Sequence, residues 1–205
     1  MTDTNRDRTI GRKVVANISL SLDGRTTGPG GEYDMGWIAP HALTDVSRAH
    51  LIKLTVGATT VLLGRKNYQG FSSYWPAVAG DEHADPRDRE FSRWLNEVDK
   101  VVFSRTRAAL DWSNARLATA DPASTVQELR TEGGGDILVL ASASIIRALL
   151  DTGELDRLSI TLCPEIVGGG ARLFGDGPAG PSWSLREPPS TGSGAICLTY
   201  DRQAI

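Results

Sequence analysis

Asp136-Ile137-Leu138-Val139-Leu140-Ala141-Ser142-Ala143-Ser144, continued by Ile145-Ile146-Arg147-Ala148-Leu149-Leu150, is the stretch whose reading decides the fold. Ile137–Leu140 is a short continuous apolar run, the pattern of a strand buried on both faces. The small residues and hydroxyls of Ala141–Ser144 stand where a helix must start, and serine is a favoured N-cap. Ile145/Leu149 and Ile146/Leu150 are spaced four apart and line the inner side of that helix, which Gly153 ends. Leu158, Ile160 and Leu162 alternate with Ser159, Thr161 and Cys163, the period of a strand, and Pro164 marks its end. Gly168-Gly169-Gly170 then opens backbone conformations closed to other residues. A buried strand running into a small-residue helix start can hold an anion on its free N–H groups, or it can be only a turn between two core elements.

Outward from this stretch, the same grammar recurs. Val14–Leu22 is a strand with Ala16, Ile18, Leu20 and Leu22 on one face and Asn17, Ser19 and Ser21 on the other. Asp23-Gly24 is a turn signal, and Gly28-Pro29-Gly30-Gly31 a loop long enough to be a flap. A helix is expected from about His41 to Val56, with Leu43, Val46 and Leu54 inward. Thr59–Leu63 is a second buried strand, entering Gly64-Arg65-Lys66-Asn67, where cations flank another helix start. Phe71, Tyr74 and Trp75 read as an aromatic packing cluster, and Ala79–Arg89 as a surface excursion. Lys100–Phe103 is a third strand, ending at Ser104-Arg105-Thr106. Asp121-Pro122 starts a helix that Gly133-Gly134-Gly135 closes. Strands near Ser182–Arg186 and Ala195–Tyr200 form a C-terminal hairpin.

Three buried strands therefore end in small, hydroxylic or cationic residues. In open α/β sheets, ligands collect outside the carboxyl ends of the strands. A dinucleotide needs places for its pyrophosphate and, where it carries a ribose 2′-phosphate, a serine-plus-arginine pocket. Composition is ordinary for a globular protein: 205 residues, 40% hydrophobic, 23% charged, net charge -3 and no basic stripe for nucleic acid. Cys163 and Cys197 each sit in an apolar run, which argues against a disulfide framework and for a cytoplasmic setting. No apolar run approaches the roughly 18 residues that cross a bilayer. Residues 1–13 read as a flexible tail and 14–205 as one domain. His41, His50 and His83 lack a metal-ligand spacing, so no metal is expected. Asp45 is the best placed acid for proton delivery, although a first-turn carboxylate also suits the helix dipole.

The ordered set Ser21-Leu22-Asp23-Gly24-Arg25-Thr26, Gly31-Glu32 through Trp37-Ile38, Val61–Arg65, Ser104–Thr106 and Ala141 through Phe174 resembles the dihydrofolate reductase-like family. In particular it is similar to the reductase domain of the bacterial riboflavin-synthesis deaminase–reductase and its stand-alone relatives. The resemblance spans Val14 to Tyr200. It implies an α/β fold: a mixed, mostly parallel sheet flanked by helices, with a C-terminal antiparallel hairpin and NADPH across the strand ends. Carried over by motif, Gly64, Arg65, Lys66 and Asn67 fall at the pyrophosphate, and Ser104, Arg105 and Thr106 at the 2′-phosphate. Ser142, Ala143, Ser144 and Ile145 form the second phosphate turn. Asn17, Ser19, Asp23 and Trp37 border the nicotinamide and substrate, with Asp23 joining Asp45 as a catalytic candidate. His50 (or Lys53) falls where the riboflavin-pathway reductases carry a substrate-reading arginine. Ala141 and Ala143 stand where the family usually has glycine, and Val139 and Leu140 where the riboflavin-pathway enzymes have an acid. The implied activity is NADPH-dependent reduction of a small heterocyclic or imine-like molecule, pterin- or pyrimidine-like, by a homodimer. Reduction of dihydrofolate or the riboflavin precursor itself, or a catalytically silent nucleotide-binding module, are the alternatives.

Overall fold

A computed structural model of the chain describes residues 11–106, 109–175 and 180–203. The strands are β1 (Val14–Ser21), β2 (Ala58–Gly64), β3 (Asp99–Phe103), β4 (Ala115–Leu117), β5 (Asp136–Leu140), β6 (Arg157–Cys163), β7 (Trp183–Leu185), β8 (Ser190–Gly192) and β9 (Ala195–Arg202). The helices are α1 (Ala39–Ala42), α2 (Asp45–Thr55), α3 (Arg65–Val78), α4 (Pro86–Glu97), α5 (Pro122–Thr131) and α6 (Ala143–Asp151). Among the described residues the strands form one sheet in the order β4-β3-β2-β5-β1-β6-β9-β7, with β8 also on β9. Pairing is parallel from β4 to β6. It turns antiparallel at β9. This is the mixed, mostly parallel dihydrofolate reductase-like sheet that the sequence implies.

Helices cover both sides. On one, Ala16, Ile18 and Leu20 of β1 and Ile137 and Val139 of β5 pack with Val126 and Leu129 of α5 and Ile145, Ile146 and Leu149 of α6. On the other, Val61, Leu63, Val102, Leu138 and Leu140 meet Tyr68 of α3 and Phe91 and Leu95 of α4. Fully burying each such side chain contributes roughly 1.5–3 kcal/mol before entropy is counted.

Several expectations need correction. Arg12, assigned to the tail, is buried: its guanidinium donates to Gly135 O, Leu129 O and the hydroxyls of Thr59 and Thr60. The rest of that tail, residues 1–10, lies outside the described residues. The helix expected over His41–Val56 breaks into α1 and α2, because Thr44 takes an extended conformation and its hydroxyl accepts from Ser47 N. Leu43 is consequently exposed, and the buried residues of α2 are Ser47, His50 and Thr55. The excursion at Ala79–Arg89 ends early, since Asp85 caps α4 at Pro86. The C-terminal pair β7–β9 forms, but β8 intervenes and makes the tight hairpin through Ser193-Gly194, both at positive φ.

Candidate functional site

The parallel strands β3, β2, β5 and β1 release the chain at one edge of the sheet, and the predicted phosphate turns meet there. Gly64, at the end of β2, is the N-cap of α3 and offers that helix no side-chain cap. Its own N–H donates to Ser142 Oγ at 2.9 Å, and the Ser142 hydroxyl donates to Leu140 O at 2.8 Å. Asn67 Nδ2 reaches across to Ala141 O at 3.2 Å. Ser142 thus holds the N-cap position of α6 without capping it with its side chain. Its hydroxyl ties two strand ends together instead. The first-turn N–H groups of α3 have no intrahelical acceptors, and Arg65 and Lys66 stand beside them. Such a donor set suits a pyrophosphate.

On the far side of α3, Arg65, Tyr68, Gln69, Ser72, Thr106 and Asp111 line a pocket of about 370 Å³. Ser104 shapes this rim, donating to Thr106 O at 2.7 Å and accepting from Thr106 N at 3.3 Å. Arg105 is exposed, and residues 107–108 lie outside the described residues. Arg65 and Thr106 are therefore brought to one pocket beside the Gly64 turn, and the residues present fit a phosphorylated dinucleotide. Ala143 and Ser144 open α6, with Ser144 exposed. Ile145 fits less well: its side chain is in the core and its N–H is given to Ser142 O at 2.9 Å, so it adds packing and no free donor.

Lys66 also pairs with Glu32 from the glycine-rich loop and lies 5.8 Å from the Tyr33 ring. That loop is laid on the second glycine segment. Thr26 N donates to Ala171 O at 2.8 Å, and Ala171 N to Thr27 Oγ1 at 3.0 Å. A Cβ on Gly170, at φ +87°, would lie 2.1 Å from Thr27 O, which is why only glycine fits. Asp23 is the staple. Its carboxylate accepts from Ser21 Oγ at 2.7 Å, from Val167 N and Gly168 N at 3.0 Å each, and from Arg25 Nε at 3.3 Å. The Ser21 hydroxyl and these N–H groups hold its pKa well below the usual carboxylate range, so it stays ionised and is no proton donor. Asp45 is drawn to Arg87 of α4, Nη2 to Oδ1 at 2.5 Å, in an exposed pair. The structure does not bring the two acids together.

The substrate candidates lie on the other half of the same sheet face. Asn17 and Ser19 are half-buried on β1, and the register places Asn17 beside Ser159 and Ser19 beside Thr161. Thr199 and Cys197 of β9 complete the two rows. His50 of α2 is buried over this floor, Nε2 2.7 Å from Ser159 Oγ. Burial pushes the His50 pKa down, which keeps the ring neutral at physiological pH. Trp37 is half-buried, with its indole N–H buried and unpartnered. His41, set aside in the sequence for want of a ligand spacing, is buried with Nε2 2.9 Å from Glu165 Oε1 and Nδ1 unpartnered. Ser159 and Thr199 were not singled out as site residues; their alternation with apolar neighbours was the available signal. Among the described residues no cluster of His, Cys, Asp and Glu could hold a metal ion, both cysteines are free and buried, and no helix is long and apolar enough to cross a membrane.

Residues 12–196 match the family of the RibD C-terminal domain. The chain is 25% identical over 191 residues to the uncharacterized protein YyaP of Bacillus subtilis, covering 92% of this chain and 94% of that one. Solved structures share the fold. A Shewanella sp. PV-4 protein named for riboflavin biosynthesis superposes with a TM-score of 0.70 at 18% identity, over 94% of this chain and 99% of that one. A pyrimidine reductase-like protein from Corynebacterium diphtheriae gives 0.64 at 16% identity, over 100% and 96%. Dihydrofolate reductase from Enterococcus faecalis, complexed with NADP(H), gives 0.57 at 11% identity, over 95% and 100%. The chain belongs to the RibD C-terminal domain family.

Proposed function

We propose that this member of the RibD C-terminal domain family is an NADPH-dependent reductase of a small pyrimidine- or pterin-like heterocycle. The observation that carries this reading is the joined turn at Gly64 and Ser142, with the Arg65–Thr106 pocket on one side and the polar rows of β1, β6 and β9 on the other. Gly64, Arg65, Lys66 and Asn67, with the turn Ser142–Ser144, take the pyrophosphate. Arg65, Ser104, Arg105 and Thr106 take the 2′-phosphate, where charge-assisted hydrogen bonds are the strong ones. NADPH supplies the hydride. Asn17, Ser19 and Trp37 hold the acceptor ring and, with α2 above them, exclude water. With Asp23 held ionised and Asp45 paired, the proton comes from solvent. A single domain over 14–205, a cytoplasmic location and a homodimer belong to the same reading.

Direct titration tests the pocket. NADPH binds more tightly than NADH, and Arg105→Ala narrows the difference; equal affinities in the unaltered protein overturn the assignment. The engagement of both candidate acids, Asp23 and Asp45, also favours a second reading, a nucleotide-binding module without turnover. Single-turnover oxidation of bound NADPH by a panel of pyrimidines and pterins separates the two.

A further inference from the structure

The buried end of α2 meets the sheet at one row of residues. Asn17, Ser159 and Thr199 lie side by side on β1, β6 and β9. Ser159 is fully buried and donates its hydroxyl to Asn17 Oδ1 at 3.2 Å. A serine hydroxyl has a single proton. With that proton spent on Asn17, the 2.7 Å contact to His50 Nε2 requires the imidazole to donate, which fixes its proton on Nε2. The chain of donors runs one way, from His50 through Ser159 to the Asn17 carbonyl oxygen. Asn17 Nδ2 takes no protein acceptor among the described residues, and it is not one of the sealed, unpartnered atoms. Its N–H groups reach the open side of a half-buried residue. On its backbone, Asn17 O accepts from Ala141 N at 2.9 Å, so this side chain stands next to the second phosphate turn.

We propose that His50 and Ser159 are positioning residues that fix the Asn17 carboxamide with its NH₂ group toward the cleft, so that the site reads a ring carbonyl and rejects an amino group in its place. Resting on the heterocycle reading above, this accounts for a histidine buried over the polar row with its Nε2 on Ser159. A rotated carboxamide would leave Ser159 Oγ facing an NH₂ donor, reverse the chain and present an acceptor to the cleft. The buried histidine is the lock against that rotation. An unpaired buried polar group is the penalty for the wrong ring.

The test uses uracil and its diamino counterpart, in which both carbonyls are replaced by amino groups, titrated into protein saturated with NADP⁺. Unaltered protein prefers uracil by about tenfold or more. Ser159→Ala and His50→Leu reduce that ratio to less than about threefold while NADPH affinity holds, and Asn17→Asp inverts it. His50→Gln, which keeps a donor over Ser159, restores most of the preference. Nitrogen-15 shifts of the His50 ring give a readout independent of any ligand, with the proton on Nε2 in the unaltered protein. A proton on Nδ1, or a ratio untouched by Ser159→Ala and His50→Leu in folded protein, overturns the relay. Failure of both rings to bind a protein that binds NADPH overturns the carbonyl reading. Failure to bind NADPH at all instead overturns the functional reading on which it rests.

Discussion

One face of the sheet has two halves of opposite character. Over β2, β3 and β5 it carries Val61, Leu63, Val102, Leu138 and Leu140 beneath α3 and α4. There Phe91 meets Trp75 edge-on at 4.7 Å and stacks on Trp94 at 5.8 Å. Over β1, β6 and β9 the same face carries Asn17, Ser19, Ser159, Thr161 and Thr199 beneath Ser47 and His50 of α2. Parallel strands buried on both faces normally read as near-continuous apolar runs. The second half departs from that rule, and burying polar groups costs free energy wherever partners are incomplete. The unpartnered Thr199 Oγ1 and His41 Nδ1 lie in this half or at its rim. Apolar packing and the polar rows are thus separated along one face of the sheet, and Ser142, just after β5, stands at the seam between them.

The largest effect belongs to the apolar half. Phe91 is almost fully buried between two tryptophans, and Phe91→Ala should destabilise the fold by about 3–5 kcal/mol. Chemical denaturation measures that loss, and NADPH affinity per folded molecule should stay unchanged. Ser159→Ala should show a smaller loss of stability, about 1–3 kcal/mol, with a large change in ligand preference. If Phe91→Ala altered cofactor affinity as strongly as stability, the division between the halves would fail.

The seam gives an intermediate effect. Ser142→Ala leaves Gly64 N–H without its acceptor and Leu140 O without its donor. A loss of about 1–3 kcal/mol follows, and unlike Phe91→Ala it should also weaken NADPH binding, because the two turns proposed to hold phosphate keep only the Asn67–Ala141 link between them. Ser142→Thr keeps the hydroxyl and should retain most of both properties. Equal affinity for NADPH in folded Ser142→Ala protein would show that the tie serves the fold alone.

How much of this was legible follows the range of each interaction. Ile137–Leu140, Ala143–Asp151 and Arg157–Cys163 announce themselves through local periodicity, and Asp121-Pro122 marks α5 by local capping. The same pair of residue types at Asp85-Pro86 starts α4 by the same local signal, five residues before the helical spacing of Phe91, Trp94 and Leu95 sets in. β4 has only Ala115, Arg116 and Leu117, too few for any period. The three strand ends were recognisable one by one. The joining of two of them, those of β2 and β5, through Ser142 was not, because serine at a helix start predicts a local cap, whereas the competing partner is Gly64 N, 78 residues away. Asp23 and Asp45 looked like acids for the reaction. Only the surrounding N–H groups and Arg87 show both carboxylates already engaged.

The smallest effect is confined to the turn at the seam, where two alanines occupy different structural positions. Ala141 holds φ at +50°, a left-handed conformation that costs an L-residue roughly 1–2 kcal/mol. Ala143 is the first residue of α6, with right-handed geometry and a side chain packed against the core. Glycine at 141 removes the strain but gives back about 0.4–1 kcal/mol of unfolded-chain entropy. Ala141→Gly should therefore raise the stability measured by denaturation by a net of about 0–1.6 kcal/mol. Ala143→Gly gains nothing to offset its lost packing and helix propensity, and should lower the stability by up to about 1 kcal/mol. Neither adds a side chain that could obstruct an anion, so NADPH affinity should hold in both. Opposite signs from two substitutions two residues apart would locate the strain at Ala141, whereas a loss in both would mean that the turn accommodates alanine there without cost.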